Sequence, residues 1–226
     1  MTAPPAEPRR GRGRPREVVR RTPGKGMPLG YRAADYPPTT RAILDAAHRV
    51  LLRDGVRGLT MVAVAREAHV DVTTVSYHFS TRNGLIEALM DRLYADNAAD
   101  FAAAARNLTE PQDRWHSYLQ SVRQMYDDHD ATRAYFDIAA LALRDPALRL
   151  RLARLNSWTI DTFIDAIGVE PDPGIRALAE LVFAAIDGVE LHHALAGDDY
   201  PLAEVLGALE TLMLQAQRDP PAPDAD

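Results

Sequence analysis

The chain has 226 residues, 46% of them hydrophobic, enough for a substantial core in one or two domains. It holds no cysteine, which removes disulfides, thiolate catalysis and cysteine metal sites and suits a reducing cytoplasm. The net charge of −6 conceals a partition: residues 1–32 carry +7, residues 33–94 are neutral and residues 95–226 carry −13, as in a molecule that touches a polyanion with one end only.

Residues 1–36 are rich in Pro, Gly and Arg and poor in apolar side chains, so they read as a disordered basic tail. Arg9-Arg10 and Arg20-Arg21 look like export signals, but no apolar stretch follows either pair. No apolar run approaches the roughly 18 residues of a membrane span. Within the tail, Arg10-Gly11-Arg12-Gly13-Arg14-Pro15-Arg16 resembles an AT-hook. Gly13 would let the backbone sink into a narrow minor groove while Arg12 and Arg14 run along it. A solvated arm that adds only nonspecific affinity is the other reading.

Thr39 or Thr40 is expected to cap a first helix, in which Ile43, Leu44, Ala47, Val50 and Leu51 share one face and Asp54-Gly55 is the stop. Thr60 can cap a second helix whose inward stripe is Val64, Ala65 and Ala68. His69-Val70 then forms a turn that needs one residue at positive φ, and His tolerates that region better than most residues. Asp71 is a suitable cap for a third, short helix, which hides Val75 and Phe79 and offers Thr73, Thr74, Ser76, Tyr77 and His78. Helix, tight turn and polar-faced helix make a helix-turn-helix, a unit that lays its second helix in the major groove.

The ordered set Ile43-Leu44-Asp45-Ala46-Ala47, Asp54-Gly55, Leu59-Thr60, Val64-Ala65, Ala68, Val70, Tyr77-His78-Phe79, Arg82 and Leu85 resembles the DNA-binding domain of the tetracycline-repressor (TetR-like) family of bacterial regulators. His69 stands where that family usually has Gly, Asp71 where it has Ser, and Asn83 where an acid is common. The resemblance implies an all-α fold: an N-terminal three-helix reader at residues 37–84 and a helical regulatory and dimerisation body at residues 85–218, about nine helices in total. It implies that Tyr77 and His78 contact phosphate, with Arg82 as a phosphate clamp. Thr73, Thr74 and Ser76 are the candidate base-edge readers, and Thr40 and Thr60 are further candidate DNA contacts.

Thr81 caps a long fourth helix, to about Ala105, that continues the stripe Leu85, Ile86, Leu89, Leu93 and Phe101; in the family it joins reader to body. Pro111 starts a helix with Trp115, Leu119, Val122 and Tyr126, and residues 131–144 give another. Pro146 starts a third that Gly168 closes, Pro173 and Gly174 introduce residues 175–195, and Pro201 introduces residues 202–217. Residues 219–226 read as a disordered end. In the family the last two helices pair across a two-fold axis, which makes Leu206 and Leu209 candidate interface residues.

Glu190-Leu191-His192-His193 has the Glu-x-x-His spacing of di-iron bundles, but no second such pair occurs, so no metal, cofactor or enzymatic role is assigned. No Gly-rich phosphate loop, nucleophile elbow or His-Glu-x-x-His motif is present. Trp115, Tyr118, Phe136 and Trp158, with His193 as a polar anchor, are candidate effector contacts, since such pockets are mostly apolar; plain core is the alternative for each. The sequence thus points to a cytoplasmic homodimeric repressor, released from a palindromic DNA operator by a small apolar or aromatic effector. A nucleoid-associated or partner-controlled DNA-binding factor without an effector is the alternative.

Overall fold

The helical spacings of the sequence all become helices. The computed structural model describes residues 36–126, 128–170 and 172–218. In chain order it runs α1 (Pro38–Gly58), α2 (Met61–Glu67), α3 (Val72–Phe79), α4 (Arg82–Ala105), α5 (Pro111–Tyr126), α6 (His129–Ala142), α7 (Pro146–Ile167), α8 (Pro173–Ala196), a short 3-10 turn (Gly197–Asp199) and α9 (Leu202–Arg218). Among the described residues there are nine α-helices and no strand. The hook-like segment with Arg12 and Arg14, and the final eight residues, lie outside the described residues.

The helix starts follow capping chemistry, with two departures from the sequence reading. Thr60 Oγ1 accepts the Ala63 N–H at 3.1 Å and Thr81 Oγ1 the Gly84 N–H at 3.0 Å. Asp128, Asp145 and Asp172 cap α6, α7 and α8 in the same way. At α1, however, the cap position falls on Pro37 and Pro38 takes the first helical position, where a missing N–H costs nothing. Thr40, expected as a cap, instead turns inward at 1% exposure. Tyr36, grouped with the tail by composition, is likewise core, at 3% exposure. Helix α6 begins and ends two residues earlier than its apolar pattern suggests, because Asp128 supplies the cap.

Gly55 interrupts α1 at φ 67°, ψ −178°. A Cβ there would stand 2.8 Å from Asp137 Oδ2, the oxygen that accepts the Val56 N–H at 3.1 Å. Glycine is therefore required twice, for its φ and for the approach of α6.

Two apolar cores result. The first unites α1, α2, α3 and the start of α4 (Leu85, Ile86, Leu89, Met90), and it also takes Ile138 and Ala142 from α6 and Leu148 and Leu155 from α7. The second holds Phe101 and Ala105 from the end of α4 with the inward faces of α5, the second half of α7, α8 and α9. Helix α4 thus belongs to both. Polar ties fix it in place: Asn83 Nδ2 donates to Asp145 Oδ2 at 2.6 Å, Arg92 pairs with Asp45 at 2.6 Å, and the Tyr94 hydroxyl donates to Asn156 at 2.8 Å. The tightest tie is bidentate. Arg151 of α7 grips Asp91 of α4 at 2.6 and 2.5 Å, with the carboxylate side chain 1% exposed and the guanidinium 12%. Burial pushes the Asp91 carboxyl up while the guanidinium pulls it back.

Asp91→Ala would strand the Arg151 charge in a site with little water. Unfolding in denaturant should show a loss of about 3–5 kcal/mol, the cost of breaking a buried pair by one partner. A loss near that of a surface pair, under about 1 kcal/mol, would show that the junction is not held there.

Candidate nucleic-acid interface

Eight residues of helix are too few to persist in water without support. Val75 (0% exposed) and Phe79 (1%) anchor α3 to the first core, beside Val64 and Ala65 of α2. The turn between them closes as expected: His69 takes φ 55°, and the Val70 N–H donates to the Ala65 carbonyl at 3.0 Å. Ser80 takes φ 62° at the other end and sends the chain into α4.

The opposite face of α3 is turned outward. Thr73, Ser76 and Tyr77 are exposed, Thr74 and His78 half-buried. Tyr77 is 57% exposed, and the His78 ring meets it edge-on at 5.3 Å. Thr40 Oγ1 lies 3.2 Å from His78 Nδ1, and burial holds the imidazole below its usual pKa, so the ring is neutral at pH 7. With the hydroxyl donating to Nδ1, the proton resides on Nε2, which makes His78 a hydrogen-bond donor rather than a cation. Thr40 is itself too buried to reach a nucleic acid; it orients His78.

Three other expectations change in detail. Asp71 occupies the cap position of α3, but its side chain makes no capping hydrogen bond and stays exposed. Thr60 is exposed, and its hydroxyl is committed to the α2 cap. Arg82, read as an outward phosphate clamp, is half-buried. Its Nε donates to the Leu59 carbonyl at 2.7 Å and its Nη2 to that of Val56. It staples the end of α1 to the start of α4, since carbonyls freed by the Gly55 break need donors.

The candidate effector residues do not form one site. Trp115, fully buried, stacks on Tyr118 with centroids 5.6 Å apart and meets Phe163 at 5.2 Å; Tyr118 also meets Phe101 at 4.9 Å and Phe183 at 6.0 Å. Phe136 pairs instead with Tyr135 at 5.2 Å, and among the described residues no ring contact joins it or Trp158 to that cluster. His193 sits apart, 6.1 Å from Tyr126 and 5.9 Å from His129. An apolar recess beside Phe163, Ile167, Leu178 and Met213 holds about 10 Å³, far below the roughly 300 Å³ of a small ligand site.

A polar group in the body was not foreseen. Asp187 and Glu190 interrupt the buried face of α8 otherwise built from Ala179, Val182, Ile186 and Val189. Tyr135 donates its hydroxyl to Asp187 at 3.0 Å, and Tyr126 donates to the Ile186 carbonyl at 2.8 Å. Burial pushes both carboxyls up. The available signal was two acids at inward positions of an apolar helical period.

A short, polar-faced helix held outward by a three-helix core, with a separate helical body behind it, defines a helix-turn-helix DNA-binding transcriptional regulator. The chain belongs to the TetR family: residues 43–89 match its bacterial regulatory proteins and residues 110–215 the tetracyclin repressor-like C-terminal domain. It is 29% identical over 163 residues to the HTH-type transcriptional regulator BetI of Burkholderia mallei, covering 69% of this chain and 82% of that one. Among solved structures it resembles the multidrug binding protein EbrR complexed with imidazole (27% identity, TM-score 0.62, 90% of this chain and 98% of that one). A TetR family member from Streptomyces coelicolor A3 is similar at 28% identity and TM-score 0.62, covering 78% and 98% of the two chains. Among the described residues, no helix is long and apolar enough to cross a membrane.

Two measurements follow from the geometry. Tyr77→Ala should weaken binding to every DNA sequence alike, whereas Thr73→Ala or Ser76→Ala should change base preference by roughly 1–3 kcal/mol per lost contact. Unchanged selected sites in both latter variants would mean another face of α3 reads the bases. In the body, carboxyls that hold protons to higher pH when folded destabilise the protein progressively as pH rises above the ordinary carboxylate range near 4. Denaturant midpoints of Asp187→Asn/Glu190→Gln should therefore gain on wild type between pH 4 and pH 7; a constant gap would contradict the raised values.

Proposed function

We propose that the protein is a homodimeric repressor, acting in the cytoplasm, that leaves a near-palindromic operator when a small effector enters its body. In this reading residues 37–84 read DNA and residues 85–218 sense and dimerise. Thr73, Thr74 and Ser76 face the bases, while Tyr77 and the Nε2 proton of His78 meet phosphate. The observation that carries the switch is mechanical: α4 is packed into both cores, so the body cannot rearrange around Phe101 and leave Leu85 and Leu89 untouched. The likeness to a multidrug binding protein supports a small-molecule effector. A second reading, a DNA-binding factor without one, is favoured by the ring-to-ring packing around Tyr118 and the 10 Å³ recess. Titrating ligands against the operator complex separates the two: a molecule that both binds the body and releases DNA establishes the first.

The dimer surface also shifts by reason of burial. Leu206 is 6% exposed and Leu209 packs against the second core, so both serve the subunit's own interior. The outward stripe of α8 is Ala177, Leu181, Ala184, Gly188, Leu191 and Leu195, with Leu181 at 65% exposure and Leu195 at 76%; Leu212 of α9 is 63% exposed. A Cβ added at Gly188 or Gly207 would meet nothing within 4 Å, so both positions leave room for a close-packed helix of a second copy. Leu181→Glu/Leu195→Glu should yield folded monomers by light scattering that no longer retain the operator, since a single small reader lacks a partner half-site. A dimer that survives these charges would place the interface elsewhere.

A further inference from the structure

The buried acids of α8 lack a counter-charge. Glu190 is 9% exposed and Asp187 half-buried, and among the described residues no basic side chain forms an ion pair with either. Neutral donors surround them instead. Tyr135 donates to Asp187 at 3.0 Å, and the Thr132 hydroxyl bonds Glu190. Their charges bear on the phenols of Tyr94 from α4 and Tyr126 from α5, and that of Asp187 also on Tyr118. Tyr118 leads into the cluster of Phe101, Phe163, Phe183 and Trp115. Within that cluster the Trp115 indole N–H is a second, independent anomaly: the residue is fully buried, yet its nitrogen has no acceptor. A buried donor left unpaired costs about as much as a lost hydrogen bond, so a ligand that supplies the acceptor recovers it.

The chemistry of the donors selects the ligand. A hard metal ion wants about six or more oxygen ligands, and here two carboxylates stand among rings. An anion would meet two desolvated carboxylates. A neutral apolar molecule would leave them uncompensated, at the cost of any buried unpaired charge. An organic cation satisfies both halves of the site, because carboxylates neutralise it and aromatic faces attract it, most strongly where water is excluded. We propose that the body takes an organic cation, an amine or quaternary ammonium ion on an apolar or aromatic frame. Asp187 and Glu190 are its counter-charges, Tyr94, Tyr126 and Tyr135 its ring walls, and the Trp115 N–H a donor to an acceptor on its frame. The inference rests on the effector-released reading and supplies its ligand class.

The test titrates the purified full chain by calorimetry with tetraethylammonium, benzyltrimethylammonium and tetraphenylphosphonium, against benzenesulfonate and tetraphenylborate as matched anions. At least one cation should bind saturably and neither anion should. Asp187→Asn/Glu190→Gln should lower that affinity about 30-fold or more, as for removing one side of a buried charge pair. The amides keep the shape and remove buried charge, so folding is expected to survive; Glu190→Gln alone, read the same way, serves if it does not. Binding of anions as tightly as cations, no cation binding, or an amide variant with unchanged affinity would each overturn the site. Operator binding, followed separately, keeps the two readings apart. A cation that binds but leaves DNA held retains the site and removes the release, whereas release by a different ligand retains the release and removes the site.

Discussion

Everything in this molecule depends on α4 being packed into two cores. Its first turns complete the interior of the reader, its last turns enter the aromatic interior of the body, and Asp91 between them is gripped by Arg151 of α7. A desolvated bidentate pair is intolerant of small displacements, because either charge left alone is costly. The pair therefore fixes register between α4 and α7 more sharply than the apolar contacts around it. Where α4 goes, the start of α3 and its outward face must follow, through the tight turn at Ser80 and the staple of Arg82 onto the end of α1.

The sequence was most legible where local chemistry decides structure. Prolines at helix starts, Gly168 at a helix end, Thr60 and Thr81 as caps and His69 at positive φ are all positions where the residue's own geometry dictates the outcome. Family spacing added the reader and its outward face. Legibility failed where the answer lies across space. Thr40 and Arg82 are polar residues near helix starts and look exposed in one dimension, yet one seats a histidine and the other staples two carbonyls. Leu206 and Leu181 are equally apolar letters; only packing shows that the first faces in and the second out. The aromatic residues of the body gave a similar ambiguity, since a ring in a core and a ring in a pocket have the same helical period. Asp187 and Glu190 carried the clearer signal, because an acid inside an apolar stripe breaks a pattern rather than continuing it.

Helix α6 adds a second route between body and reader. One of its faces carries Tyr135 and Thr132 toward the acids of α8. A face nearly opposite carries Arg133, which donates to the Leu52 carbonyl at 2.6 Å, and Asp137, which accepts the Val56 N–H at the Gly55 break. Those contacts seize α1 at the point where its own ladder is interrupted and its backbone groups need partners. A molecule that displaced Tyr135 from Asp187 would have to move or rotate α6, and the bonds to Leu52 and Val56 would then carry that motion into the core of the reader.

Charge explains why such a route must be geometric. The body carries the excess of acids, −13 over residues 95–226, and long-range repulsion from DNA is screened within about 8–10 Å at physiological salt. Neutralising two buried carboxylates deep in α8 would barely change the field at α3. What such an event can change is the relative free energy of two packings, by as much as the ligand prefers one over the other. A preference of 1–3 kcal/mol alters DNA affinity about 5–150-fold, and DNA weakens the ligand by the same factor. In a closed body, where Tyr118 already touches Trp115, Phe101, Phe163 and Phe183, that preference arises naturally. The packing described has no room for a guest, so any molecule that enters must favour the other one.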